Sequence, residues 1–487
     1  MEDEQEAKKA ALVDTLDGPF LRITFRHYAD NYYRGSWQDR AVGMPPRVDA
    51  SLSYYNSSKT AANSNVLQVI LRVHGFSRTE QVDDDWNIFW CAGQVDPQVL
   101  RGLKAFQLVN KFPKASSLTL KSNLWSNFQR MQRKFGRQHF DYMPSTFLVP
   151  LQLDQLETCL QSAEYSETVW IVKPAAAYCG RGISLHRTRP SLADDLRSQK
   201  GVCSVYIDPP FLLNGLKSDI RLYVLVTSWN PLVVYLYEEG LARFATEAYS
   251  TDALEQRCRH LTNYSLNKHS KHFIHSKEED AGSKWSLSAF KRRLASQLDE
   301  ARSAEVWRKV DDLVVKTAVS VHGLMAEALR TFLVSEAQGR PNRQCFQLFG
   351  FDVMLDADAR PWLLEVNLDP ALRTESPLDL KVKSSMLVDL LNLVGVPIPP
   401  SAHEGARPAA DGGEPAAPSS SSGSSEASPG SAEDVSAREQ EMLGHVNAQF
   451  ARSKQGGWRR LFPSTRSTEY LHFLDPTHTY NSLPFDL

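Results

Sequence analysis

A chain of 487 residues is too long for one ordinary hydrophobic core, and a content of 42% hydrophobic and 23% charged residues suits a globular protein of two or three subdomains with extensions. A net charge of −2 argues against a molecule built as a whole to bind a polyanion such as nucleic acid. No apolar run approaches the roughly 20 residues needed to span a bilayer, the acidic start Met1-Glu2-Asp3-Glu4-Gln5-Glu6 lacks the basic and apolar parts of a signal peptide, and the six cysteines (Cys91, Cys159, Cys179, Cys203, Cys258, Cys345) form no CxxC pair. The expectation is an intracellular, soluble protein in a reducing compartment, without a zinc site or a disulfide framework.

Residues 1–60 show aromatic and polar clusters with weak periodicity and read as an N-terminal extension. Residues 61–150 read as a small α/β subdomain. Within it, residues 65–73 are apolar enough for a helix or a strand, and residues 83–90 read as a turn entering a short strand. Leu124, Phe128, Met131 and Phe135 recur at helical spacing. Ser122 or Asn123 can cap that helix and Gly136 can end it. Its opposite face carries Arg130, Arg133, Lys134 and Arg137. From Leu108 to His139 there are seven Lys or Arg and no Asp or Glu, a local basic face that can attract an acidic partner, although a solvated helix face gives the same pattern.

Residues 151–398 carry strand-like runs at 168–174, 182–186, 202–207, 220–227 and 232–237, then a helical stretch over 285–335 with Val310, Leu313, Val314, Ala318, Val321 and Leu324 as its core stripe. A hairpin at 351–367 follows, and a last core helix from about 383 to 393. Residues 399–436 turn to Ser, Pro, Gly, Ala and Glu and read as a disordered linker. Residues 437–487 resume a helical pattern and end in an aromatic segment, with residues 456–463 expected to dock back onto the core.

Four groups carry chemistry. The hairpin, centred between Asp358 and Ala359, sets Asp352 opposite Glu365, with Asn367 two residues on and on the same face. Two carboxylates and a carboxamide make a hard-oxygen site that suits Mg²⁺ when phosphate oxygens complete its shell. Lys173 ends a strand and is followed by Gly180-Arg181-Gly182, so an ammonium and backbone N–H groups can approach phosphates; this is not the G-x-x-x-x-G-K-[ST] pattern, and glycine turns after strands are commonplace. Lys217, Asp219, Arg221 and Tyr223 share one face of a strand while Ile220, Leu222 and Val224 share the other. A half-exposed antiparallel strand shows the same alternation, but beside Lys173 and the hairpin these residues read as cations for phosphates and anions for metal. Arg243 sits in an apolar run and needs an anionic partner, either a structural Asp or Glu or a ligand carboxylate. The polar loop at 260–265 has no reading by itself.

In this order, these pieces resemble the tubulin tyrosine ligase-like family, whose members have an ATP-grasp-type core. The resemblance runs from about residue 65 to 396, with a weaker echo at 456–463. It is carried by Val109-Asn110-Lys111-Phe112-Pro113 and by residues 170–174, 221–227, 235–246, 260–265, 349–367 and 376–380. Residues 236–246 look most like the glutamylase branch, nearest its fifth mammalian-type member. The fold class it implies is α/β (α+β) with an ATP-grasp-like core over residues 151–398. The activity it implies is ATP-dependent addition of free L-glutamate, through an isopeptide bond and an acyl-phosphate intermediate, to glutamate side chains in the acidic tail of tubulin. ATP and Mg²⁺ are the implied cofactors. A monomer of the cytoplasm and cytoskeleton, cilium or basal body included, with no nucleic acid or membrane partner, is implied as well.

Carried over, the resemblance gives Lys173 to the ATP phosphates with Cys179 and Gly180 in the loop above. Ser204, Val205, Tyr206 and Ile207 line the adenine pocket, Lys217 and Asp219 hold the ribose and nearby groups, and Thr262 and Asn263 complete the nucleotide site. Asp352, Glu365 and Asn367 bind Mg²⁺. Arg243 clamps the incoming glutamate, with Tyr264, Ser265, Lys284 and Lys383 around it, and Arg221 stabilises charge on the acyl-phosphate and tetrahedral intermediates. Three positions depart from the family pattern: Cys179 stands where relatives often have Arg or Gln, Val205 replaces a usual Arg and Ser218 a usual Phe. The acidic tail is expected to meet Arg130, Arg133, Lys134 and Arg137, or Arg452, Lys454, Arg459 and Arg460. Rival readings are a glycine ligase, a glutamylase of a non-tubulin acidic protein, a non-catalytic microtubule-binding relative and a small-molecule ATP-grasp ligase.

Overall fold

The computed structural model describes residues 21–27, 52–58, 65–82, 85–175, 180–276, 278–398, 432–477 and 479–487. Most of the N-terminal extension, the linker segment 399–431, the start of the expected turn at 83–84 and Cys179 lie outside them. The five described cysteines are free thiols. Among the described residues no helix is long and apolar enough to cross a membrane.

Three sheets organise the described residues. The first is parallel, in the order β2-β1-β3-β4: β1 is Ser53–Asn56, β2 Ser77–Thr79, β3 Ile88–Trp90 and β4 Leu108–Val109. The segment that suited either a helix or a strand is helix α1, Asn65–Val73. Its residues Val66 to Leu71 are all buried, and the apolar ones share one cluster with residues of α7 (Pro377–Val394). Burial on nearly every side erases the polar stripe that would have announced a helix.

Helix α2, Lys121–Phe135, buries Leu124, Phe128 and Met131 as their spacing requires. Gly136 ends it at φ 94°, a conformation that glycine adopts without strain. The expected N-caps are wrong. The helix starts earlier, behind Leu120 and without a side-chain cap, and Asn123 instead donates to the Ser116 carbonyl at 3.1 Å.

The second sheet is antiparallel, in the order β5-β8-β6-β7: β5 is Thr146–Val149, β6 Val169–Pro174, β7 Ser184–Arg187 and β8 Gly201–Val205. Helix α3, Leu153–Leu160, packs with Trp170 and Val172 on one face. Ile171 points to the other, and by period 2 Lys173 follows it.

The third and largest sheet runs β13-β12-β10-β11-β16, with β14 between β10 and β15 and with β9 on β10. Its strands are β9 Leu212–Leu213, β10 Leu216–Trp229, β11 Leu232–Tyr237, β12 Leu241–Phe244, β13 Lys284–Ser286, β14 Gln347–Leu355, β15 Pro361–Asn367 and β16 Trp458–Phe462. One face packs Ile220, Leu222, Val224 and Val226 against α4 (Leu287–Gln297), α5 (Glu300–Val319) and α6 (His322–Phe332). The other packs Tyr223, Leu225, Val233 and Tyr235 against α7. Cover on both faces explains why all nine residues of β14 are buried.

The expected stripe over 310–324 is broken. The chain leaves helix between Val319 and His322, so Leu324 lies on the exposed side of α6 while Val310 to Val321 remain core. No Gly or Pro marks that break. Helix α7 is longer than residues 383–393, because Ser376 accepts from the Asp379 N–H at 3.1 Å and Pro377 follows as the first helical residue. The C-terminal helix α8, Ala432–Ser453, starts before residue 437 and lies on α7. The segment expected to dock back does so as β16, antiparallel to β11.

Candidate functional site

The hairpin at 351–367 forms, but it turns about Asp358 rather than between Asp358 and Ala359, and its register is one that the turn alone does not give. Leu355 pairs Pro361, Met354 pairs Trp362 and Val353 pairs Leu363, a progression that would set Asp352 opposite Leu364. A bulge at Leu364 shifts the strand by one residue, and Asp352 pairs Glu365. A one-residue slip exchanges the faces of a strand, so the bulge puts Glu365 and Asn367 on the face that carries Asp352.

Cross-strand pairing then aligns charge across five strands. Lys284 on β13 opposes Arg243 on β12, and Arg243 opposes Asp219 on β10. Two residues on, Arg221 opposes Asp352 on β14, which opposes Glu365 on β15. Directly opposed residues share a face, so one side of the sheet carries three cations and three anions in a band. Arg221 donates to both Asp352 oxygens, at 2.6 and 3.0 Å. Arg243 donates from Nε to Asp219 at 2.8 Å and from Nη2 to Asp219 and to Asp352, the last at 2.9 Å. The anionic partner that Arg243 requires is therefore structural. Burial alone would push the Asp352 carboxyl up; the two guanidiniums prevail and hold it well below the usual carboxylate range. Gly350 makes room for this: a Cβ there would come within 3.3 Å of Arg221 Nε.

Above the band, between the second and third sheets, lies an open cavity. Lys173, Gly180, Ser204, Val205, Tyr206, Ile207, Lys217, Asp219, Thr262, Asn263, Asp352 and Glu365 all line it. Residues from β6, β8, β10, the loop at 260–263, β14 and β15 thus converge, although they span nearly two hundred positions. Gly180, at φ 73°, allows its loop to approach Asn263; a Cβ would meet Asn263 Oδ1 at 2.8 Å.

The two cavity lysines sit in low-dielectric surroundings. Burial lowers the Lys173 ammonium to about 8, against the pull of Glu365. Burial, then the like charge of Lys173, lowers Lys217 to about 7. Lys217 donates to the Tyr206 hydroxyl at 2.8 Å and lies 4.1 Å from the centre of that ring. Both lysines are prepared to gain from a bound anion.

Among the described residues no three His, Cys, Asp or Glu side chains converge as a metal cluster. The Asp352–Glu365–Asn367 set has two carboxylates, and Asn367 supplies the third group, with its Nδ2 turned toward Asp352 at 3.3 Å. Glu365 faces the cavity and is met by Lys121 at 3.1 Å. A hard-oxygen set at the edge of the cavity fits Mg²⁺, which takes one or two protein carboxylates and leaves the rest of its shell to phosphate and water.

A second group of basic residues gathers beside the band. Lys284 and Lys383 flank Asp379 at 2.6 and 2.8 Å. Burial pushes the Asp379 carboxyl up, but the two ammoniums hold it below its usual range. Lys284 lies 4.4 Å over the Tyr264 ring, whose phenol is raised to about 12 by burial and by Glu375. Arg243, Tyr264, Lys284 and Lys383 are thus neighbours, and Ser265 follows Tyr264 in the same short helix, Tyr264–Asn267.

Lys121 and Trp125, one helical turn apart on α2, also line the cavity. Lys121 is one of the seven basic residues between Leu108 and His139; its position three residues before the first core residue of an amphipathic helix gives no sign that it faces Glu365. Of the two basic groups expected to attract an acidic tail, the second is largely committed elsewhere. Arg459 makes a bidentate pair with Asp311 at 2.7 and 2.9 Å, and Arg460 is buried against Phe450. On α2, Arg133 and Lys134 are exposed, as is Arg137 just beyond it, while Arg130 donates to the Ser320 carbonyl.

The chain is similar to proteins already known. The family model described as "Tubulin-tyrosine ligase family" matches residues 101–405. Human tubulin polyglutamylase TTLL5 is 41% identical over 341 residues, covering 68% of this chain and 25% of that protein. Human tubulin polyglutamylase TTLL6 is 36% identical over 353 residues, covering 72% of this chain and 37% of that protein. Mouse tubulin monoglutamylase TTLL4 is 34% identical over 386 residues, covering 77% and 30%. The chain therefore spans only a quarter to about a third of the length of these relatives.

Proposed function

The chain belongs to the tubulin-tyrosine ligase family, and we propose that it is an ATP-dependent ligase of its glutamylase branch, with an ATP-grasp-like core, that joins free glutamate by an isopeptide bond to glutamate side chains in the acidic tail of tubulin. The observation that carries this reading is the convergence of Lys173, Lys217, Asp352 and Glu365 on one cavity beside the Arg243–Lys284–Lys383 group. A nucleotide site and a site for an acidic amino acid then share one sheet face.

The chemistry needs no covalent enzyme intermediate. The acceptor carboxylate attacks the terminal phosphorus of ATP, ADP leaves and an acyl phosphate forms. The amine of free glutamate attacks that carbonyl, phosphate leaves and the amine loses a proton. Positioning and charge neutralisation carry such steps. Lys173 and Lys217 face the cavity and would neutralise phosphate oxygens. Asp352, Glu365 and Asn367 would hold Mg²⁺, which when bound supplies further neutralisation there. Arg221 would stabilise charge on the acyl phosphate. Arg243 presents Nε and Nη2 to Asp219 and Asp352, which leaves Nη1 as the end it would offer to the donor's carboxylate, with Lys284 and Lys383 for the second one. A donor with two carboxylates uses three cations; glycine would not.

The test is incubation with microtubules, ATP and Mg²⁺ and with labelled glutamate, glycine or tyrosine in parallel. Label from glutamate is expected on tubulin, and label from glycine alone would sink the donor assignment. Glu365→Gln is expected to abolish ligation while microtubule binding persists; a Glu365→Gln protein ligating at the wild-type rate would overturn the cavity's assignment. Replacing Arg133, Lys134 and Arg137 together by Ala is expected to weaken tubulin binding at low salt; unchanged binding refutes the tail-docking role of α2.

A further inference from the structure

His260 has no role in the site described so far, yet it is buried, lines the same cavity and stands two and three residues before Thr262 and Asn263. Its bonds give it a direction. His260 Nε2 lies 3.1 Å from the Ala253 carbonyl oxygen, which can only accept, so Nε2 carries the imidazole proton. His260 Nδ1 is then an acceptor, and the Tyr206 hydroxyl is 3.1 Å from it. That hydroxyl oxygen in turn receives the Lys217 ammonium at 2.8 Å. The protons therefore run one way: Lys217 to Tyr206, Tyr206 to His260, His260 to Ala253. Tyr206, Lys217 and His260 are all buried, where a phenol O–H turned back toward the ammonium would oppose one donor with another.

We propose that His260 is a positioning residue of the nucleotide site: by accepting the Tyr206 proton it turns the phenol oxygen toward Lys217 and so fixes the ammonium that meets the nucleotide. This rests on the cavity being an ATP site. Burial lowers the imidazole below its ordinary value, consistent with a neutral acceptor. Tyr249 is the competing neighbour. Its ring lies edge-on to His260 at 5.9 Å and its hydroxyl donates to Asp208 at 2.7 Å, so its own proton is committed there, but its oxygen also neighbours the Tyr206 hydroxyl and is the rival acceptor for that proton.

Isothermal titration of the full chain with ATP, together with steady-state kinetics, tests the proposal. His260→Ala is expected to weaken ATP binding about tenfold, the order of one charge-assisted hydrogen bond, with kcat at saturating ATP within about threefold of wild type. His260→Asn is expected to recover most of the loss, because its Oδ1 can accept where Nδ1 did; His260→Gln is not. Tyr206→Phe with His260→Ala is expected to be no worse than Tyr206→Phe alone, since both act through one chain. Should His260→Ala fail to fold, the Asn and Gln variants carry the same comparison. Unchanged ATP affinity in His260→Ala, losses that multiply in the double variant, or a Tyr249→Phe loss that His260→Ala does not show would each overturn the proposal. A wild-type chain that binds no ATP overturns the nucleotide reading itself, and this inference with it.

Discussion

Asp219→Asn removes one of the two negative charges that neutralise Arg221 and Arg243, and leaves both guanidiniums on Asp352. The four side chains are between 3% and 12% exposed, so water does little of the compensating. For charges about 4 Å apart and an effective dielectric near 20, one pair is worth about 4 kcal/mol before desolvation. Removing one partner of a buried pair costs about 3–5 kcal/mol in practice, because the other charge is left behind. Asn retains a carbonyl oxygen that can accept from Arg243, returning about 1 kcal/mol. The expected loss is therefore about 2–4 kcal/mol, local to β10 and β12. Native-state hydrogen exchange of peptides covering residues 216–229 and 241–244 reads it directly, as roughly 30- to 1000-fold faster exchange. Asp219→Leu combined with Arg243→Met, which removes both charges, is expected to cost less than Asp219→Asn with its stranded cation. Exchange within about twofold of wild type, or a double variant costing the sum of the two single changes, would falsify the claim that this cluster is held by mutual neutralisation.

Three further outcomes are expected. Lys217 and Lys173, lowered to about 7 and about 8, are raised again by bound phosphates, so nucleotide binding takes up protons; ATP affinity should be greatest below pH 7 and fall as pH rises through 7–8, with a shallower slope in Lys217→Gln. His27 is raised above its ordinary 6.5 by its hydrogen bond to Asp389 at 2.7 Å, so the stability it lends is fully present below pH 6.5 and is lost as pH rises through its higher folded value; the thermal midpoint of His27→Gln should converge on wild type at alkaline pH, and a constant gap would refute the pairing. Truncation after residue 398 should leave an insoluble or non-cooperative chain. It strips Leu461, Phe462, Tyr470, Phe473 and Leu474 from the core, at roughly 1.5–3 kcal/mol each and thus on the order of a whole domain's stability; soluble protein with wild-type cooperativity would contradict this.

The elements most legible in the sequence were those with one dry and one wet side, or with a residue type that only one conformation tolerates. Helix α2 announced itself by Leu124, Phe128 and Met131 and ended at Gly136 as its backbone requires. Helix α1 was ambiguous because burial on nearly every side leaves no polar face to set a period. The break between α5 and α6 was invisible because Ser320 and Val321 carry no turn signal, and Leu324 was misplaced with it. The start of α7 could have been found: Ser376-Pro377 followed by Asp379 is a helix entry written in capping residues.

By itself the sequence determined which residue types would carry charge inside apolar strands, because an Asp, Glu, Arg or Lys in such a run has to be partnered wherever the strand goes. That was enough to single out Lys173, Lys217, Asp219, Arg221, Arg243, Asp352 and Glu365. Only the tertiary structure decided who partners whom. The β10 strand meets β12 along one edge and β14 along the other, and that topology, not local spacing, gives Arg243 to Asp219 and Arg221 to Asp352. The Asp352–Glu365 pair is itself such a case. The strands turn about Asp358, so counting back from it gives Leu364; a centre between Asp358 and Ala359 names Glu365 only because a bulge at Leu364 adds the missing residue, and a bulge is a feature of the paired strands, which no count along one strand contains.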